Sequence, residues 1–319
     1  LKLWILAFVV VMPARLVFAA ALLPAVLAVS CMDQSGDPVD WFVAIKQPDG
    51  YTYTYADANS QTLETSSYTL ADNGGAIYAT LTQDGVFSDT YALYNDEPPN
   101  KSPYSADGHT KGVFSATGDS SAFWLVHSVP KFPVLSSSNE YTGFPATETD
   151  YGQSFLCISL TDPESIDSLG YAFALTRPEF YETAVTTAAH EAFPALANVI
   201  AAGTHVTQAA LNVTGIESAA GKPFTVFAKN VAWGLDLYNG AVSPYYKATT
   251  YAETWMNGIN PCTAYCPPQY EYTTRNIQSY TVAGFTMGET KDHSKWCVVA
   301  DSDVVCIGGI NRQQSQAHR

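Results

Sequence analysis

The chain has 319 residues, 47% hydrophobic and 14% charged, which excludes a disordered protein and leaves room for one large domain or two smaller ones. Fifteen Lys and Arg face 30 Asp and Glu, a formal charge of −15 at pH 7. A partner of nucleic acid at neutral pH is usually basic, so a polyanionic partner requires an acidic compartment where the six His charge and some carboxylates protonate.

Residues 1–30 read as a secretory leader. They are apolar as far as Ser30 except at Lys2, Pro13, Arg15 and Pro24, with Met12-Pro13-Ala14-Arg15 as the n-region and Leu16 to Leu27 as the apolar stretch. Ala28 and Ser30 suit cleavage before Cys31. The stretch is long enough to span a membrane, but Arg15 splits it and Pro24 breaks a helix, which favours cleavage and no stable membrane association afterwards.

Strands are expected over 39–45, 51–55, 76–81, 90–93, 113–115, 122–129 and 154–160, and later over 224–227, 280–285, 295–300 and 304–307. Twenty Tyr and 15 Phe agree with a strand-rich chain. The clearest helix spans 188–202, with Phe193, Leu196 and Val199 on one face and Gly203 as its stop; a shorter one starts at Thr161-Asp162-Pro163. Together these give a mixed α/β (α+β) fold. The loop 134–152 offers a boundary between one module at 31–150 and a second at 151–319.

Six Cys in an exported chain point to disulfides rather than metal, since Cys262-x-x-x-Cys266 lacks a second pair of zinc-ligand spacing. Asn100-Lys101-Ser102 and Asn212-Val213-Thr214 are glycosylation acceptors.

The chemistry concentrates in two triplets, His109-Thr110-Lys111 and His293-Ser294-Lys295, roughly 180 residues apart. With 10 Lys in the chain, a given His has about a 3% chance of Lys two residues later, so two such hits call for an explanation. On a strand, residues i and i+2 share a face, so each triplet aims an imidazole and an ammonium at one patch. A phosphodiester cleavage needs an attacking group, cations on the non-bridging oxygens and a proton for the leaving oxygen. His109 and His293 supply the first and last in opposite protonation states, Lys111 and Lys295 the charge otherwise supplied by a metal, so no cofactor is required. Asn311 is a further phosphate donor. His127 reads as a phosphate ligand, a supporting group or a buried structural His, and Arg312 as a phosphate contact or a surface Arg. The halves also rhyme: Asp301 and Gly308-Gly309-Ile310-Asn311 follow Lys295, while Asp119 and His127-Ser128 follow Lys111.

These residues resemble the phospholipase D pattern, a His-x-Lys followed by Asp and a Gly-Ser-x-Asn element. More closely, the chain resembles the deoxyribonuclease II family. The likeness runs through Gly36-Asp-Pro-Val-Asp-Trp-Phe42, Tyr94-Asn-Asp-Glu-Pro-Pro99, Gly108-His-Thr-Lys-Gly112 and Phe123-Trp-Leu-Val-His-Ser-Val-Pro130. It continues in Tyr151-Gly-Gln-Ser-Phe-Leu-Cys157, Gly203-Thr-His-Val-Thr-Gln208, Asp292-His-Ser-Lys-Trp-Cys-Val298 and Asn311-Arg-Gln-Gln314. The resemblance implies a phospholipase D-like fold of two similar α/β modules with the active site between them. It implies a lysosomal or secreted endonuclease, monomer or homodimer, cutting double-stranded DNA at acid pH without a divalent metal and leaving 3′-phosphate and 5′-hydroxyl ends. It also implies a Cys31–Cys157 disulfide. Three departures stand out: Ala116 and Ala300 occupy the phospholipase D Asp positions, Gly309 replaces its Ser, and the family continues past the position of Arg319 through a Gly-rich segment and a Cys-bearing tail. Other readings are a phosphodiesterase acting on lipid or RNA, and a catalytically silent secreted binding protein.

Overall fold

The structure is a computed structural model that describes residues 29–99, 101–103, 106–118 and 120–319. Residues 1–28 of the expected leader, the Asn100 acceptor and Asp119 lie outside the described residues.

In chain order, β1 (Cys31–Met32) pairs with β2 (Pro38–Val39), followed by β3 (Trp41–Lys46), β4 (Thr52–Asp57), β5 (Glu64–Thr69), α1 (Ala76–Thr82), β6 (Thr90–Asn95), β7 (Lys111–Thr117) and β8 (Ser121–His127). Next come β9 (Gln153–Leu160), α2 (Pro163–Thr176), β10 (Phe180–Ala184), α3 (Thr187–Ala192) and α4 (Pro194–Ala202). The remainder comprises β11 (Leu211–Glu217), β12 (Pro223–Lys229), α5 (Ser243–Tyr246), β13 (Thr250–Glu253), β14 (Thr274–Asn276), β15 (Ser279–Val282), β16 (Phe285–Gly288), β17 (Trp296–Val299) and β18 (Val305–Ile307). The fold is mixed α/β.

Eight strands form one antiparallel sheet in the order β10-β6-β7-β8-β9-β3-β4-β5. Its central strands are buried on both faces, which explains their near-continuous apolar runs. Side chains alternate between two cores. Val113, Phe123, Leu125 and Phe155 meet α1, while Phe114, Ala116, Ala122 and Ile158 meet α2 and α4. A disulfide joins Cys31 in β1 to Cys157 in β9, with Cα atoms 5.9 Å apart. A smaller sheet, β14-β13-β17-β18, carries the approach to the second His-x-Lys. The module boundary expected at 150 does not follow these sheets: β9 and β10, both beyond it, belong to the eight-stranded one.

Three expected elements differ. Residues 76–81 form helix rather than strand, because Ala76, Ile77, Thr80 and Leu81 bury one helical face, and a short apolar run does not distinguish the two periods. The helix expected over 188–202 breaks at Phe193 (φ −140°), where Pro194 removes an amide donor and drives its predecessor out of the helical region. Residues 280–285 cross a hairpin turn, with Ala283 and Gly284 at φ 48° and 80°. Conversely, α2 is a full 14-residue helix, started by Asp162, whose carboxylate accepts from the amides of Glu164 and Ser165, and by Pro163 in its first turn.

Candidate active site

The first triplet is placed by the β6–β7 ladder. Lys111 opens β7 opposite Asn95, the last residue of β6, so the chain leaving β6 delivers Asp96 and Glu97 beside it. The Asn95 side chain accepts from the Glu97 amide (2.9 Å) and donates to the carbonyls of Val129 and Phe132, fixing that turn. Lys111 Nζ donates to Asp96 Oδ1 and lies 3.8 Å from Glu97 Oε1. Arg319 Nη2 donates to the other Asp96 oxygen at 3.1 Å, and His109 Nε2 stands 3.9 Å from it.

The second triplet is placed by a bridge between Gly152 and Asp292. The His293 amide donates to the Gly152 carbonyl (2.9 Å), and the Gly152 amide to that of Lys291 (2.8 Å). Asp292 is fully buried and accepts from Tyr280 Oη (2.8 Å), Ser294 Oγ (2.7 Å) and the Ser294 amide (2.9 Å). Lys295 leads into β17 and donates to the His293 carbonyl. Both triplets are thus extended approaches to strands, with only Lys111 inside one.

A short run of backbone joins them. The Gly308 amide donates to the Lys295 carbonyl at 2.9 Å, and the next carbonyl, Gly309, faces His109 Nδ1 at 2.5 Å. Only glycine fits at 309, because a Cβ there would lie 2.8 Å from the His109 carbonyl oxygen. With Nδ1 donating to Gly309, Nε2 of neutral His109 carries the lone pair.

The charges of the two triplets act on one another. Burial, then Lys111, pushes His109 down to about 3, with Asp96 pulling the other way. Burial, then Lys295, Lys111 and His109, pushes His293 down to about 2. Lys295 falls to about 7 through burial and the neighbouring Lys111. Burial alone would raise Asp96, but His109, Lys111 and Arg319 together hold it at about 2. The site therefore presents two neutral imidazoles beside lysines, a field that favours an incoming anion.

Of the other expected site residues, Asn311 is buried two positions after Gly309, its Oδ1 without a partner and its amide bound to Gln316 Oε1 at 2.7 Å. His127 is fully buried between Phe132 and Phe155; its Nδ1 accepts from the Val129 amide (3.2 Å), Nε2 has no partner, and burial, then Lys111, drives it well below its usual value. Arg312 turns away as a fully buried structural group. It donates to Asn276 Oδ1 and the Thr263 carbonyl, lies 3.6 Å from Asp236 and stacks over Tyr265. Asn212 is half-buried in β11. Cys262, Cys266, Cys297 and Cys306 are thiols.

Sequence reasoning missed Asp96, Glu97, Arg319 and the rings of Tyr151 and Trp255 against His293. The acidic pair just after β6, beside the start of β7, was the available signal. Asp96, Glu97 and His109 offer ligand atoms within 4.8 Å of one another, yet Lys111 and Arg319 already pair with Asp96, so a divalent ion there would have to displace them. A cavity of about 570 Å³ lies elsewhere, among Asp236, Cys262, Tyr265 and Tyr270.

A sequence model of the deoxyribonuclease II family matches residues 30–319. Plancitoxin-1 of Acanthaster planci is 35% identical over 315 residues, covering 92% of this chain and 86% of its own. Deoxyribonuclease-2-alpha of Rattus norvegicus is 34% identical over 330 residues, covering 96% and 92%. Deoxyribonuclease-2 of Caenorhabditis elegans is 34% identical over 334 residues, covering 91% and 87%.

Proposed function

The chain belongs to the deoxyribonuclease II family and is a nuclease of that type, and from that premise we propose that it is an acid endodeoxyribonuclease cutting double-stranded DNA through a phosphohistidine, without a divalent metal. The observation that carries this reading is the convergence of both His-x-Lys triplets on one site through Gly308 and Gly309.

His109 Nε2 attacks phosphorus. The P–N bond forms as the bond to the 5′-oxygen breaks, and His293 passes its proton to that oxygen. Neutral His293 then takes a proton from water as the water attacks phosphorus, releasing His109 and a 3′-phosphate. Lys111, Lys295 and Asn311 hold the non-bridging oxygens. His127 supports the Lys111 side of the site from the core.

The acid preference follows from the same charges. Neutral His293 has to gain a proton before it can give one. Burial, then Lys295 and Lys111, hold its pKa down; the negative phosphodiester offsets the lysines, so binding is coupled to proton uptake and weakens as pH rises. An export route ending in a lysosome would supply such a pH, and a secreted enzyme would need an acidic surrounding; among the described residues, no helix is long and apolar enough to cross a membrane.

The test incubates plasmid DNA with the protein at pH 5 in EDTA, beside His109→Ala and His293→Ala. Cleavage by the parent, lost in both variants and leaving 3′-phosphate on end-labelling, is the expected result. A requirement for added metal, or cleavage that survives both substitutions, rules the mechanism out.

A further inference from the structure

His293 stands in an aromatic enclosure that the steps above do not use. Tyr151 lies face to face with the imidazole, centroids 4.7 Å apart and planes 11° from parallel. Trp255 meets the imidazole at 81° with centroids 4.0 Å apart, and the two aromatic rings contact each other at 4.9 Å. The three residues come from distant places: Tyr151 precedes β9, Trp255 follows β13 and His293 precedes β17.

Each wall is anchored. Lys46 of β3 is fully buried, and its ammonium donates to the carbonyls of Gln47 (2.9 Å), Thr149 (2.7 Å) and Tyr151 (2.7 Å). A buried cation spent on three carbonyls fixes the backbone that carries the stacked ring. On the other side, the Trp255 carbonyl accepts from Gln313 Nε2 at 3.0 Å. Lys291 Nζ lies 5.9 Å from the Tyr151 centroid while paired with Asp49.

The charged neighbours of His293 oppose its protonation. Lys295 on its own segment, and Lys111 and His109 across the site, all disfavour the imidazolium. Asp292, next in sequence, spends its oxygens on Tyr280 and Ser294. The faces of aromatic rings carry negative potential and attract a cation. Tyr151 turns its face to His293 in parallel, a contact that favours the charged ring, and Trp255 closes against the same imidazole in a T-shaped contact.

We propose that Tyr151 and Trp255 are positioning residues that hold His293 in one orientation and stabilise its imidazolium once the substrate phosphate has arrived. The inference rests on His293 being the proton donor. It assigns to the two rings, with Lys46 behind one of them, the support that a carboxylate gives a catalytic His elsewhere.

The experiment compares Tyr151→Leu, Tyr151→Phe, Trp255→Leu and Trp255→Phe with the parent on two substrates across pH 4 to 7. One is DNA, whose 5′-oxygen needs a proton. The other is thymidine 3′-(4-nitrophenyl phosphate), whose leaving group departs as an anion. Loss of a ring in the Leu variants lowers kcat on DNA about tenfold and moves the upper limb of the pH profile down by about half to one unit. The activated substrate stays within about twofold of the parent, and the Phe variants lie between. Thermal unfolding run alongside identifies any Leu variant that does not fold, in which case the Phe variants decide. Equal losses on both substrates, or a KM effect on DNA with an unmoved pH profile, overturn the proposal in favour of rings that bind DNA or only brace the fold. On the activated substrate, loss of the first-turnover nitrophenolate burst in His109→Ala and its retention in His293→Ala, which then stalls for want of a base in the second step, test the underlying assignment separately. If instead His293→Ala gives no burst, that assignment fails and the proposal with it.

Discussion

Glu253 carries a prediction that can be worked through in numbers. It lies in β13 opposite Trp296 of β17, is fully buried, and has no hydrogen-bond partner for either carboxylate oxygen. Burial, then Asp292 and Glu289, pushes its carboxyl from 4.5 up to about 9, with Lys295 pulling the other way. The folded protein therefore holds Glu253 protonated where the unfolded chain would ionise it. A carboxyl raised on folding contributes stability that is complete below the unfolded pKa and is lost as pH climbs towards the folded one. Between pH 5 and pH 8 the loss is close to three pH units, about 4 kcal/mol as a ceiling. Water penetration and relaxation at a realistic internal dielectric bring this nearer 2 kcal/mol. Glu253→Gln fills the same space and does not titrate. Its stability relative to the parent should rise by about 2–4 kcal/mol from pH 5 to pH 8. His109 and His293 act in the opposite sense, but they are common to both proteins and cancel. Urea unfolding of parent and variant at both pH values, followed by tryptophan fluorescence, measures the difference. A difference that stays constant or shrinks with rising pH would refute the buried neutral acid.

Further outcomes follow from the same site. His109 and His293 are depressed on folding to about 3 and about 2, so their contribution is complete above 6.5 and is lost as pH falls below it. An anion between them relieves that loss, and sulfate, whose charge is constant over the range, should raise the melting temperature more at pH 5 than at pH 7.5; an equal rise counts against the linkage. Gly309→Ala puts a Cβ 2.8 Å from the His109 carbonyl oxygen and 3.1 Å from Thr110 Cα, so kcat on DNA should fall by about tenfold or more while the melting temperature moves little. Unchanged kcat would free His109 from Gly309. Arg319→Gln removes a charge-assisted bond to Asp96 and should raise the KM for DNA severalfold, roughly 1 kcal/mol, with a smaller effect on kcat. A change in kcat alone would place Arg319 outside substrate binding.

The triplets were legible because a two-residue spacing is a local signal. So were the strands around 90–93, 113–115, 122–129 and 154–160, where β-branched and aromatic residues run together. The edge strand β5 was not: Glu64-Thr-Ser-Ser-Tyr-Thr69 is largely exposed and carries no apolar alternation. Within the site, Asp96 owes its role to the pairing of Asn95 with Lys111, a register that exists only once β6 and β7 align. Tyr151 and Trp255 meet across about a hundred residues of chain, beyond any local pattern. Arg312 shows the converse. Its neighbour Asn311 made it look like a phosphate contact, yet successive side chains diverge, and its guanidinium ends among Asn276, Thr263, Asp236 and Tyr265.

The place of β9 sets a condition on biosynthesis. It is ladder partner to both β8 and β3, although it follows β3 by roughly a hundred residues of chain. A nascent chain has made β3 to β8 before the strand that joins them exists. Two open edges, one on β8 and one on β3, wait until residue 160 emerges, and open edges recruit other chains. Folding is therefore governed by a long-range pairing and should be slow and dependent on chaperones. The first His-x-Lys cannot mature as a free-standing half: a ribosome that stalls before β9 leaves an aggregation-prone fragment, not half an enzyme.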